Sequence, residues 1–182
     1  MNSGTKDARL PELLRARTGH VHCAGICGIG MAGVAALLRD RGFRVSGCDA
    51  IPNALAAWLN ARGIDVAAGH DPTHLTSDVT WMVRSAAVPA EAPELRAALE
   101  RGIPVFRRGE VLPALLDGQL AIAVGGTHGK TTTTSFITQM LKRTGRDPSF
   151  CIGGEVPGLG GVAGTGRGGI IVVEADESDG TI

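Results

Sequence analysis

The sequence predicts a parallel α/β fold built as two successive units, and three observations carry that reading. Strand-like apolar runs alternate with helical patterns along the chain, the pattern that yields parallel sheets covered by helices. A glycine turn, Gly28-Ile29-Gly30-Met31-Ala32-Gly33, joins the first strand to the first helix. A second turn, Gly126-Thr127-His128-Gly129-Lys130-Thr131-Thr132, does the same far downstream.

Each element follows from its local pattern. Residues 1–18 mix acidic and basic side chains with few apolar ones and read as a leader. His20–Ala24 is apolar enough for a strand, and residues 32–41 carry a helical apolar run. Residues 44–48 form the next strand, ending at Asp49, and residues 54–61 the next helix. A strand over 79–83 is followed by helices over 94–101 and 111–116. A composition seam falls at Asp117-Gly118, so residues 19–117 are read as one domain and 118–182 as the start of a second. In that second unit a strand over 119–124 feeds the Gly-Lys-Thr turn, and a helix runs over 131–143 with Phe136, Ile137, Met140 and Leu141 at helical spacing. Residues 153–169 hold nine glycines in seventeen positions, which predicts a mobile loop without regular structure. The chain then enters a strand over 169–174, where Ile170-Ile171-Val172-Val173 is the continuous apolar run of a strand buried on both faces. About 65 residues after the seam are few for a stable α/β unit, so the expectation is the N-terminal part of a longer protein.

Composition narrows the function. Eighteen Lys+Arg balance eighteen Asp+Glu, which leaves no global field for nucleic acid or an anionic membrane. With no tyrosine, four Phe and two Trp, base-stacking platforms are disfavoured. No apolar run has the length of a membrane span, and the leader lacks an apolar signal core, so a cytoplasmic protein is expected. Four cysteines at irregular spacing read as reduced thiols. His20, His22, Cys23 and Cys27 do not make a metal set, because strand alternation sends both histidines to the face opposite Cys23.

The two turns carry the chemistry. In the second, backbone N–H groups and a helix N-terminus suit phosphate oxygens, and the Lys130 ammonium reaches the β/γ-phosphates. The strict phosphate-loop spacing would need glycine at position 124, where the chain has Val124, so the loop is shorter. Glu174 leaves its strand beside this loop, and magnesium is served by one carboxylate, a loop hydroxyl and the phosphates. Asp176, Glu177 and Asp179, just beyond, read as a solvated acidic turn. The first turn is a GxGxxG with Asp49 about twenty residues on, the layout of a dinucleotide site. A helix N-terminus accepts the pyrophosphate of NAD or of a UDP-sugar equally, so the turn leaves both open.

In combination, GICGIGMAGVAALL, VSGCD, RSAAVPAEAPELRAALERGIPVFRRGEVL, GTHGKTTTTSFI and IVVEADESDG resemble the ATP-dependent Mur ligases of peptidoglycan synthesis. The histidine of GTHGKTTTT is similar to the alanine-adding branch and its murein-recycling relative, and the SAAVPAEAPEL stretch resembles the alanine-adding branch. The resemblance implies a Rossmann-like first domain that holds UDP-N-acetylmuramate, with Gly28, Ile29 and Gly30 near the diphosphate and Asp49 and Ser85 near the uridine or phosphate groups. Arg84 departs from the family's usual small polar residue there. It further implies a P-loop ATPase-like second domain in which Gly126, Thr127, His128, Gly129, Lys130, Thr131 and Thr132 bind ATP. Lys130, Thr131 and Glu174 would be catalytic, with Thr131 and Glu174 on Mg2+. The implied reaction joins L-alanine to the UDP-sugar through an acyl phosphate, with C-terminal domains needed for catalysis and the fragment inactive alone. The alternatives are a murein-recycling ligase that adds a tripeptide to the same sugar, a silent nucleotide-binding module, and an NAD oxidoreductase.

Overall fold

The computed structural model describes residues 9–156 and 158–175. Leu10 and Leu14, one helical turn apart, bury one side of α1 (Arg9–Ala16). The stretch expected to be a leader therefore contributes a helix to the apolar core.

The first sheet consists of β1 (His20–Ala24), β2 (Arg44–Asp49), β3 (Asp65–Ala68), β4 (Val79–Arg84) and β5 (Val105–Arg107), in the order β3-β2-β1-β4-β5. All its pairings are parallel. Between the strands run α2 (Ile29–Asp40), α3 (Ala54–Asn60), a 3-10 turn at Pro72–His74, and α4 (Pro93–Glu100), with α5 (Arg108–Leu116) after β5. β1 is buried at every position, as a central strand covered on both faces must be. Its alternation sends Val21 and Cys23 into the core around α2, while His20 and His22 share Ser46 as a partner on the α4 side.

α2 is buried continuously from Met31 to Leu38, so it has no solvent face over those residues. The cause is compositional: MAGVAALL offers no polar side chain, and a helix apolar all round must be covered on more than one side. The second cover is the second sheet. It comprises β6 (Leu120–Val124), β7 (Ser149–Val156), β8 (Gly161–Gly164) and β9 (Ile170–Glu174), in the order β6-β9-β7-β8, with α6 (Lys130–Arg143) on one face. β6, β9 and β7 are parallel, and β8 closes antiparallel on β7. Cys151, Val162, Ala163, Ile171 and Val173 join the same apolar cluster as α2 and β1.

The glycine-rich segment departs from expectation. Instead of a mobile loop, residues 153–156 extend β7 and residues 161–164 form β8. Its tertiary partners explain the order. The Trp58 indole Nε1 donates to the Gly160 carbonyl at 3.0 Å, Arg62 donates to the Ala163 carbonyl at 3.3 Å, and Leu159, Val162 and Ala163 are buried. These contacts offset the conformational entropy that glycine loses on ordering. None of the helices is long and apolar enough to cross a membrane among the described residues.

Candidate functional site

The first turn sits at the C-terminal edge of the first sheet, where the strand order departs from β1 in both directions. Crevices at such a switch point are where open α/β sheets bind ligands. The Gly25 and Ile26 amides donate to the Cys48 carbonyl at 2.8 and 3.0 Å, which ties the turn to the end of β2. Asp49 braces it further, accepting from the Cys27 amide at 2.9 Å and the Ile51 amide at 3.2 Å. Its carboxylate is therefore engaged with the turn's own backbone. Gly28 is the N-cap of α2 with no side-chain cap, leaving the first amides of Ile29 and Gly30 without intrahelical acceptors. Ser85 follows β4 on the other flank of the crevice, its amide bonded to the Ala24 carbonyl at 3.0 Å and its hydroxyl accepting from the Ala87 amide at 3.3 Å.

The two later glycines of this motif are close-approach positions. A β-carbon on Gly30 would collide with a guanidinium nitrogen of Arg108, and one on Gly33 would collide with the Cys151 sulfur. Arg108, on α5, thus lays a cation against the N-terminus of α2. Sequence reasoning missed it, because nothing in its local spacing marks it and only the packing of α5 beside α2 brings it there. Gly33 has the usual duty of the third glycine, close packing, but its neighbour is a strand of the other sheet.

The second turn is built differently. Gly126 and Gly129 take φ values of 139° and 77°, the left-handed side that side chains disfavour, and Gly129 caps α6. Thr127, His128 and Thr132 are exposed. Lys130 folds back so that Nζ donates to the Gly126 carbonyl at 2.7 Å, which places the ammonium inside the turn. Val124 pairs in register with Glu174, and the Ala175 amide donates to the Val124 carbonyl at 3.0 Å, so the carboxylate leaves its strand beside the loop. Glu174 accepts from the Gly153 amide at 2.9 Å, and a β-carbon on Gly154 would come 3.0 Å from the Thr131 methyl. Gly153 and Gly154 therefore lie against Glu174 and Thr131 respectively, bringing Lys130, Thr131 and Glu174 to one end of the sheet. Asp176, Glu177 and Asp179 lie outside the described residues.

α6 forms over the expected residues but turns an unexpected face inward. Thr134, Ser135 and Thr138 are buried, with Ser135 and Thr138 donating to carbonyls one turn back, while Phe136 and Met140 are 64% and 66% exposed. The four cysteines are free and buried, and burial raises the Cys151 thiol to about 11, which keeps it protonated and unreactive. A cleft lies elsewhere, between α1 and α5, and touches neither turn.

Comparison with known proteins follows the same outline. A family profile described as Mur ligase family, catalytic domain, matches residues 20–119. The UDP-N-acetylmuramate--L-alanine ligase of Acidothermus cellulolyticus is 50% identical over 163 residues, covering 90% of this chain and 34% of the relative. That of Kineococcus radiotolerans is 49% identical over 169 residues, covering 91% and 36%. Among solved structures, the UDP-N-acetylmuramate-alanine ligase of Thermotoga maritima superposes with a TM-score of 0.81 at 30% identity, over 88% of this chain and 37% of that one. The UDP-N-acetylmuramate:L-alanyl-gamma-D-glutamyl-meso-diaminopimelate ligase of Neisseria meningitides does so with 0.80 at 34%, over 88% and 53%. The chain spans about a third of the length of the curated relatives it matches. With more than half its residues under the family profile and both sheets superposing on solved members, the chain belongs to the Mur ligase family.

Proposed function

We propose that this chain carries the UDP-sugar and ATP-phosphate turns of an ATP-dependent ligase that joins L-alanine to UDP-N-acetylmuramate in the cytoplasm. The observation that carries the reading is the convergence of Lys130, Thr131 and Glu174 at one sheet end, through the β6–β9 register and the Gly153-Gly154 contacts. In this reading the α2 N-terminus and Arg108 neutralise the sugar nucleotide's diphosphate, and Gly28, Ile29 and Gly30 supply amides. Asp49 holds the turn in shape, and Ser85 lines the facing wall.

The second turn holds the ATP phosphates. Gly126, Thr127, His128, Gly129 and Thr132 shape the loop and present its amides, and Lys130 exchanges the Gly126 carbonyl for phosphate oxygens. A hydroxyl and a carboxylate are the hard oxygen donors that Mg2+ prefers, so Thr131 and Glu174 suit that ion. Bound there, it would neutralise charge on the transferred phosphoryl group. The sugar's carboxylate attacks the γ-phosphorus, ADP leaves, and the alanine amine displaces phosphate from the acyl phosphate to form the amide.

Calorimetry with UDP-N-acetylmuramate tests the first turn: binding lost in Arg108→Met while the fold is retained is expected, and a folded chain with no affinity for the sugar nucleotide refutes the assignment. A second reading has one observation behind it, the superposition on the tripeptide-adding ligase of Neisseria meningitides at 34% identity. Assaying alanine against the tripeptide on a protein of the relatives' full length separates the two, and alanine is expected to be the substrate turned over.

A further inference from the structure

On the α4 face of the first sheet, directly beneath the first turn, four side chains converge on one carboxylate. Glu94 is 0% exposed. Its oxygens lie 3.1 Å from His22 Nε2, 3.1 Å from His74 Nδ1, 3.5 Å from His70 Nδ1 and 2.7 Å from Cys48 Sγ, and Cys48 Sγ lies 3.1 Å from His70 Nδ1. His22, Cys48 and Glu94 are all buried, with donor atoms within 4.8 Å of one another. Neither phosphate turn uses any of these side chains.

A hydrogen-bond chain behind His22 sets how its ring is turned. Asp78 pairs with Arg44 and lies 3.1 Å from His20 Nδ1, so Nδ1–H donates to it. His20 Nε2 lies 2.7 Å from the Ser46 hydroxyl, which in turn lies 2.9 Å from His22 Nδ1. Ser46 thus holds the His22 ring with Nε2 toward Glu94. Although the carboxylate is 3.1 Å away, this nitrogen makes no hydrogen bond among the described residues, being buried and misaligned. His74 Nδ1 lies within hydrogen-bond distance of the same carboxylate, 3.1 Å away, and 3.4 Å from the Asp71 amide. A buried ring nitrogen left without a hydrogen-bond partner costs free energy that a bound cation would offset.

We propose that His22 Nε2, Cys48 Sγ and a Glu94 oxygen bind a zinc-type divalent cation, with His70 Nδ1 closing the fourth position. Imidazole, thiolate and one carboxylate form a borderline-soft set that selects zinc over magnesium. A tetrahedral zinc site has donor separations of about 3.3–3.6 Å, near the 3.1 Å between His22 and Glu94 and wider than the 2.7 Å between Cys48 and Glu94, so the ligands shift to admit the ion. Binding replaces the Cys48 thiol proton, which leaves to solvent, and two positive charges meet one thiolate and one carboxylate with no net charge left buried. Ser46 supplies the outer hydrogen bond that fixes a metal-ligating histidine. His70 and His74, 17% and 18% exposed, give the ion its way in from solvent. Because the Cys48 carbonyl holds the Gly25 and Ile26 amides, the ion would brace the first turn from below.

The test is metal titration of the chelator-treated chain with Zn2+ and with Co2+ as a spectroscopic probe. One zinc per chain, a raised Tm, tetrahedral cobalt d–d bands and a thiolate-to-cobalt charge-transfer band are expected. Cys48→Ser, which keeps the volume, should abolish the charge-transfer band. Ser46→Ala should keep the band but weaken zinc binding by about 10–100-fold. His70→Gln, at the rim, provides a variant with little risk to the fold, and it should lower zinc affinity while leaving the charge-transfer band. A folded chain that takes up no zinc, or a charge-transfer band unchanged in Cys48→Ser, overturns the proposal.

Discussion

The two glycine turns share a pattern of strand, glycines and helix, yet they are held in opposite ways. The first is clamped: α2 is buried through Leu38, Asp49 and the Cys48 carbonyl bind its backbone, and Gly33 packs against Cys151. The second is open: residues 126–129 are exposed, β6 is largely uncovered, and among the described residues Lys130 bonds to its own loop. A clamped turn presents a fixed set of amides to a ligand. An open one is shaped by left-handed glycines and a lysine bonded within its own loop, so a ligand would contribute more of the final order. The same motif grammar thus gives a preorganised site or an adaptable one, according to what packs behind the helix.

The largest effect should come from the open turn. Lys130→Ala, in a protein of the relatives' full length, is expected to lower alanine-dependent phosphate release by about 10²–10³-fold. Its Tm should not change, since the substitution removes an exposed hydrogen bond within the loop and leaves the core as it was. A coupled fall in Tm would mean the second turn is braced after all.

The clamp is tested by Gly33→Ala. In a helix interior this substitution ordinarily stabilises by about 0.8–1 kcal/mol. Here the added methyl meets the Cys151 sulfur, and we expect a net loss of about 1–3 kcal/mol in denaturant unfolding, recovered in the Gly33→Ala/Cys151→Ala double variant. Stabilisation by the single variant would show that the sheets do not bear on each other there. Asp49→Ala removes the acceptor of the Cys27 amide in the turn and of the Ile51 amide after β2 and should cost about 1–2 kcal/mol, read by the same unfolding curves.

The smallest effect is a pH dependence on the clamped side. Burial lowers the pKa of His20, so the unfolded chain binds the proton more readily than the folded one. Stability should therefore fall as pH drops through about 6.5, the unfolded value, toward the lower folded one. His20→Gln should flatten the Tm-versus-pH curve in that window, and an unchanged slope would remove His20 from the account.

Much of the fold is legible in the residues alone. Apolar runs mark β1, β2, β4, β6 and β9, of which β1 is buried at every position and β6 is left largely uncovered, and both glycine turns announce themselves through spacing. The three residues Val105–Arg107 and the alanine-rich Asp65–Ala68 are not legible, since such short strands are made by their neighbours in the sheet. α6 shows the limit from another side: its helix is readable, but its inward face of Thr134, Ser135 and Thr138 is not, because Phe136 and Met140 suggest the opposite face.

The sequence by itself determined the α/β class, the positions of the two glycine turns and the acid at the end of β9, because each depends on local spacing and backbone preference. Only the tertiary structure decided that residues 161–164 are a strand, that Arg108 stands over Gly30, and that His22, Cys48, His70 and Glu94 meet in one buried cluster. These are encounters between residues far apart in the chain. No local preference encodes them, and they exist only because the sheets and helices pack as they do.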